Sequence, residues 1–487
     1  MTAYIGKKEL VEGEKMILYH YRPIESALLE IEKGTFHFAS REKLNDPIEG
    51  YVRIFWKGDK AAWEGLFRNY ICSLKQAIDI YLLNGDEEML HHRTLLVDLH
   101  CFDNVPEGGI LKALGDGFLA DQEIQKLSAF YGNHCLKVCE EELLIVLHFI
   151  HNRALIRCIQ NARETGIVPK EAADEFVSSF ASKKISIPDE LLRAELIDEK
   201  QRASIAKVAK GMIEDIQELR YVKMGFEDKL FLFGEQNRED GQPSDEKKTA
   251  EAHQRRKWLS VAVDFPGLYV EQLKEMVYPE SYIVCFSSQY NDSSMWGNYA
   301  DHHKGVCLIY ETDENNGITL DMKNASCRHE VLPVRYGGDT MERNFFETFG
   351  RLNPRQIRTW LTGLDGISSA YDAFSDEDEW RKRYWEVFQV KTYQKNPAWE
   401  HEREYRIAVE NFFGEFKEPA SRNLRYTPEH LKGVIFGLKT AEYDKKRVME
   451  KLLARADKYK DIKFYQAEYA DEKQSISIRR KSFWKLN

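Results

Sequence analysis

The stretch ILYHYRPIESALLEIEKGTFHFASREKLNDPIEG, residues 17–50, decides the fold. Residues 16–21 read as a short strand. Pro23 follows where a first helical turn tolerates it, because that position has no intrahelical use for an N–H. Ile24, Leu28 and Ile31 recur on one face, Gly34 ends the helix, and Phe36 to Phe38 reads as a second strand. The NDP of residues 45–47 predicts a turn, since Asn and Asp side chains bond back to nearby backbone and Pro forbids regular continuation. Two short strands cannot make a stable sheet, so their partners must lie elsewhere in the chain.

Those partners return only after Pro279, as SYIVCF, GVCLIYE, VLPVRYG, EYRIAVE, GVIFGL and IKFYQAEY. Between about Tyr51 and Glu280, segments such as AAWEGLFRNYICSLKQAIDIYLL and EEELLIVLHFIHNRALIRCIQNA carry helical periodicity with few turn signals. The polar run GEQNREDGQPSDEKKTAEAHQ from Gly234 predicts a flexible loop inside that block. The pattern therefore predicts an α+β protein. A split domain of residues 1–56 plus 280–487, with a mixed or antiparallel sheet, is interrupted by an all-helical insertion of residues 57–279.

The chain has 487 residues, 43% hydrophobic and 31% charged, the composition of a globular protein rather than a disordered one. A net charge of −10 argues against binding nucleic acid through a general positive field. The eight cysteines, at 72, 101, 135, 139, 158, 285, 307 and 327, are scattered and mostly lie in apolar runs, which reads as buried free thiols in a reducing compartment. No signal peptide follows Met1 and no apolar run approaches a membrane span, so a soluble, cytoplasmic protein without membrane contact is expected.

Three clusters could carry chemistry. In LYHYR, His20 and Arg22 fall on one side of a strand and Tyr21 on the other, where it should be core. Asp46 and Glu49 are expected to fix the following turn and brace arginines. In CFSSQYNDSSMWGNYADHHKGV a strand ends in Ser287 and Ser288, and a polar loop leads through Trp296 and Tyr299 to His302 and His303. Adjacent histidines point apart and no familiar ligand spacing completes them, so no metal is expected. In AWEHEREYRIAVE an extended backbone would place Glu402, Glu404 and Arg406 on one face, either as a site or as a solvated ion-pair ladder. The run RKRYWEVFQVK from Arg381 reads as a helix with a solvated basic face.

Taken in order, YHYRP, FASREKLNDPIEG, CFSSQYNDSSMWGNYADHHKGV, WEHEREYRI and GVIFGL resemble the bacterial family called domain of unknown function 2971, over the split α+β part. The family name implies no activity. More remotely, a strand bearing His or Arg, a helix closed by Gly, a strand with Ser and a late strand with Glu-x-Glu is similar to ADP-ribosyltransferases. That second resemblance implies NAD as a substrate, with His20 and Arg22 anchoring it, Ser287 and Ser288 bracing the pocket, and Trp296 or Tyr299 as stacking walls. It implies Glu404 as catalytic carboxylate and Glu402 as the group that orients or deprotonates the acceptor. The serine element here is Ser-Ser rather than a Ser-Thr-Ser triplet, and His20 and Arg22 belong to different subclasses of that pattern.

The expectation is thus an NAD-consuming enzyme, acting as a bacterial toxin or antiviral defence effector on a protein or nucleic-acid acceptor. The helical insertion is then the surface for a partner protein. The alternative is a non-catalytic module that binds a nucleotide-like ligand or a protein. A third reading, a metal-dependent nuclease-type site built on Asp46, Glu49 and the later carboxylates, requires those groups to share a cation.

Overall fold

The structure, a computed structural model, describes residues 15–46, 49–82, 106–168, 170–171, 173–174, 187–193, 198–223, 260–278, 280–322, 325–338, 341–411, 414–455, 457–459, 462–470 and 475–481. The run expected to be a flexible loop from Gly234 lies outside them, as do Pro47 of the NDP turn and Cys101. The fold is α+β. It divides into two compact units, Met1–Val52 with Pro279–Met341 and Trp385–Asn487, and Arg53–Tyr278 with Glu342–Tyr384.

In the first unit the chain runs through β1 (Ile17–Arg22), α1 (Ile24–Lys33) and β2 (Thr35–His37), then β3 (Glu280–Ser287), α2 (Ser293–Tyr299) and β4 (Val306–Glu311). It continues through β5 (Gly317–Asp321), β6 (Ser326–Glu330), β7 (Leu332–Pro333), β8 (Arg335–Tyr336), β9 (Gln394–Lys395) and β10 (Glu404–Asn411). Last come β11 (Asn423–Tyr426), β12 (Leu431–Phe436), α3 (Glu442–Leu453), β13 (Lys463–Ala470) and β14 (Ser475–Arg480). Pro23 precedes α1 and Gly34 closes it in the left-handed region at φ 64°, which glycine enters without steric cost.

An eight-stranded sheet is ordered β14-β13-β12-β4-β1-β3-β10-β7, and a four-stranded sheet β2-β11-β5-β6. Among the described residues only β12 and β13 pair parallel in the larger sheet. The N-terminal β1 is central, between β3 and β4, which is why residues on either side of the helical block must fold together. Alternation then separates two faces. Leu18 and His20 of β1, Val284 and Phe286 of β3 and Ile407 and Val409 of β10 point to the side of α1 and α3, where Leu28, Ile31, Val448 and Leu452 bury against them. Tyr21 of β1, Cys307 of β4 and Ile435 of β12 point the opposite way and pack against Met295, Trp296 and Ala300.

The second unit holds the helices Lys60–Leu82, Pro106–Leu119, Gln122–Asn133, Glu140–Glu164, Glu199–Lys223, Phe265–Val277 and Pro354–Trp360. Residues 342–384, expected in the split domain, fall instead in this unit. The reason is aromatic: Phe345 lies 5.8 Å from Trp56 and Phe346 5.6 Å from Trp63, both ring-centroid distances, in a buried cluster that also takes in Phe349 and Trp360. Gly65 permits the approach, because a Cβ there would stand 1.8 Å from the Trp360 carbonyl oxygen. Among the described residues no helix is long and apolar enough to cross a membrane. The described cysteines are free; Cys72, Cys158 and Cys307 are buried as expected, whereas Cys135 and Cys327 are exposed.

Candidate functional site

The carboxylates Glu402 and Glu404 do come together, but not by extension of one strand. Residues Pro397–Glu402 form a 3₁₀ helix whose first turn is capped by the Asn396 side chain, and Arg403 turns the chain at φ 45° before β10 begins at Glu404. A short-side-chain cap followed by Pro favours the helical turn over the extended backbone that alternation alone suggests. What unites the two carboxylates is Lys395, delivered by the two-residue strand β9 against β8. Its ammonium lies 2.6 Å from Glu402 Oε2, 3.0 Å from Glu404 Oε2 and 3.6 Å from Glu49 Oε2.

Arg406 completes the network. Its Nε and Nη2 donate to the two Glu404 oxygens at 2.6 and 2.9 Å, it pairs with Glu49, and its Nη1 donates to the Thr392 carbonyl at 2.8 Å. All five charged side chains are buried, with relative exposures of 1–6%. The solvated ion-pair ladder is therefore excluded for Glu402, Glu404 and Arg406. Burial alone would raise the Glu404 carboxyl; the Arg406 and Lys395 charges prevail and hold it down to about 2. Burial would lower Lys395, and Glu404, Glu402 and Glu49 push it up instead. Glu49 moves the other way, raised by a desolvation that its cations do not fully offset. The expectation that Glu49 braces arginines holds in detail, since its carbonyl also accepts from Arg41 Nε at 3.0 Å.

Around this network sit groups the sequence pointed to in part. Ser287 Oγ donates to the Glu402 carbonyl at 2.8 Å, and Ser288 N–H donates to the Arg403 carbonyl at 3.1 Å, so both serines brace the turn before β10. Tyr299 Oη donates to Glu402 Oε1 at 2.5 Å and accepts from Asn45 Nδ2 at 2.8 Å. Burial, then the Glu402 charge, raises the Tyr299 hydroxyl far above the usual phenol range. The backbone N–H of Glu404 donates to Tyr336 Oη at 2.7 Å.

Asn45 opens onto a pocket of about 550 Å³. Trp399, Pro23 and Gly297 line it, together with the polar side chains of Asn298, Asp301 and His302. Asp301, His302 and His303 occupy the left-handed region in succession, at φ 45°, 52° and 70°. Each such residue costs about 1 kcal/mol or more, a strain that persists only where surrounding structure imposes it and that concentrates at functional sites. Here backbone bonds impose it: His302 N–H to the Gly297 carbonyl at 3.2 Å, His303 N–H to Trp296 at 3.1 Å and Lys439 N–H to His303 at 2.9 Å.

Three expected site residues lie elsewhere. His20 and Arg22 sit on the α1 face of the sheet, where His20 Nδ1 and Arg22 Nε approach Glu30 at 3.0 and 3.1 Å. Ser287, Glu404 and Arg406 belong to the opposite face, as the pairing of Glu404 with Ser287 and of Ser287 with Tyr19 requires. The sheet therefore separates the expected anchors from the expected carboxylates. Trp296 is fully buried, edge-on to Tyr21 at 5.1 Å, with its indole N–H given to the Tyr290 carbonyl at 2.7 Å. The aromatic wall of the pocket is Trp399 instead. Lys395 and Trp399, which sequence reasoning did not single out, share the segment QKNPAW, where no periodicity marks them. Among the described residues no group of three His, Cys, Asp or Glu side chains is placed to hold a metal ion. Glu49, Glu402 and Glu404 converge on Lys395 and Arg406.

Residues 295–407 match the family model described as Protein of unknown function (DUF2971). This stretch is similar to that family. It contains Tyr299, the left-handed run, Lys395, Trp399, Glu402, Glu404 and Arg406, while Asn45 and Glu49 reach the matched residues from outside it. No curated protein and no solved structure matches the chain.

Proposed function

We propose that the pocket beside α2 binds NAD or a related nucleotide. The carrying observation is the continuous bond path from a pocket-lining group to the buried charges: Asn45 to Tyr299, Tyr299 to Glu402, Glu402 to Lys395. An indole and two carboxamides suit the face and edge of a heteroaromatic ring, and a path into a rigid ionic network fixes their orientation. On this reading the sealed network is a scaffold that positions Tyr299 and Asn45. Recruitment of any partner protein falls to the helical unit.

A second reading, consumption of NAD, is favoured by Glu402, which the Tyr299 hydroxyl links to the pocket-lining Asn45. In that reaction the bond from ribose C1′ to nicotinamide breaks and nicotinamide leaves with the bonding pair. Water or an acceptor hydroxyl bonds to C1′, its proton passing to Glu402 by way of Tyr299. The positive charge that develops on the sugar is what a nearby carboxylate stabilises. A toxin or defence role follows from this second reading and not from binding alone.

Titration calorimetry with NAD, for the native protein and Trp399→Ala, tests the first reading. Native binding that weakens by about tenfold or more in the variant supports it, the loss of one aromatic contact being on the order of 1–3 kcal/mol. Nicotinamide release tests the second, and Glu402→Gln is expected to slow it by about a hundredfold or more. Binding without release leaves a non-catalytic module, and no binding of NAD, AMP or adenosine removes the nucleotide from the proposal.

A further inference from the structure

Gly297 lies inside α2, a seven-residue helix, and at its position a Cβ would meet nothing within 4 Å. Its backbone does not need glycine, since it is ordinary helix outside the left-handed region. Glycine inside a helix is a poorer choice than alanine, and neither packing nor geometry in the described protein explains it here. Gly297 lines the pocket that Asn45, Asn298 and Trp399 also line. Its carbonyl holds the strained turn in place through His302 N–H, so the helix surface at this point is rigid as well as bare.

We infer that Gly297 is a specificity-determining position, and that the pocket takes a flat heteroaromatic ring laid directly against the backbone of α2. The inference rests on the nucleotide-binding reading and adds which part of the ligand meets which wall. A missing Cβ lets a planar group approach the peptide plane closely. The carboxamides of Asn45 and Asn298 each present a donor and an acceptor, which match the mixed edge of a nucleobase or of nicotinamide. The sugar and phosphates then lie toward the open mouth of the pocket, beyond the reach of Gly297. The inferred contact is with the ring alone.

The test compares native protein with Gly297→Ala, using adenine, nicotinamide, adenosine and NAD as probes in calorimetry and following the melting temperature in parallel. The expected result pairs two opposite signs: a melting temperature equal to or above the native value, and affinity for the ring-bearing probes weakened about tenfold or more by one intruding methyl. Native binding that survives Gly297→Ala unchanged overturns the inference and leaves the nucleotide reading intact. Loss of affinity together with a lowered melting temperature also overturns it, because the glycine is then structural. If the native protein binds none of the four probes, the nucleotide reading itself fails and takes this contact with it.

Discussion

Replacing Arg406 by methionine, which keeps the bulk and removes the charge, is expected to destabilise the protein by about 3–5 kcal/mol. Arg406 is 1% exposed and serves both Glu404 oxygens, Glu49 and the Thr392 carbonyl. Without it the buried Glu404 and Glu49 carboxylates lose their closest cation and lean on Lys395, which already serves Glu402 at 2.6 Å. An exposed pair would cost under about 1 kcal/mol, so the magnitude separates a buried network from a decorative one. Urea denaturation measures it. A companion variant carrying Glu404→Gln and Arg406→Met should recover part of the loss, because it removes the stranded charge along with its partner. If Arg406→Met unfolds at the native urea concentration, the network does not hold this part of the fold.

This prediction could not have been made from the sequence, and the reason is topological. Alternation correctly identified Glu404 and Arg406 as neighbours on one face of a strand, since a period of two is a local property. Their shared partner Lys395 comes from a strand two residues long, and Glu49 arrives from the far side of the helical block. Neither leaves a periodic trace. The same holds for the whole architecture: β1, α1 and β2 were legible one by one through Pro23, Gly34 and the apolar spacing. Residues 342–384, by contrast, joined the helical unit through ring contacts such as Phe346 with Trp63 that no spacing encodes.

Side-chain direction marks a second limit. His20, Ser287 and Glu404 all belong to neighbouring strands, which made a common cleft plausible. Register decides otherwise, because shifting by a single residue moves a side chain to the opposite face. Tyr19 is the residue paired with Ser287, and His20 therefore faces the other layer. The legible part of the site was its chemistry, a tyrosine and carboxylates near a His-His turn. Of the two aromatics expected as stacking walls, Trp296 and Tyr299, the first is buried in the core, while Trp399 lines the pocket; core and pocket aromatics carry the same sequence signature.

The anchors displaced by that register lead to the second large effect, because His20 and Arg22 converge on Glu30 rather than on a ligand. Glu30 is 3% exposed and accepts from His20 Nδ1 at 3.0 Å and from Tyr310 Oη at 2.7 Å, with Arg22 Nε 3.1 Å away. Burial lowers His20, so the ring is neutral and its Nδ1–H is the donor, a carboxylate having nothing to donate. Burial would raise the Glu30 carboxyl, but its three partners hold it low and ionised. Glu30→Ala strands two buried donors and a guanidinium, and opens a void between α1 and the sheet, for an expected loss of about 3–5 kcal/mol. Glu30→Gln keeps one acceptor oxygen and should lose less. Calorimetry with NAD distinguishes this hub from an anchor: on the pairing described here, folded His20→Ala binds NAD as the native protein does, because its side chain and the pocket stand on opposite faces of β1. Should His20→Ala instead abolish NAD binding while melting at the native temperature, the ligand enters on the α1 face, and Glu30 is there to aim His20 at it.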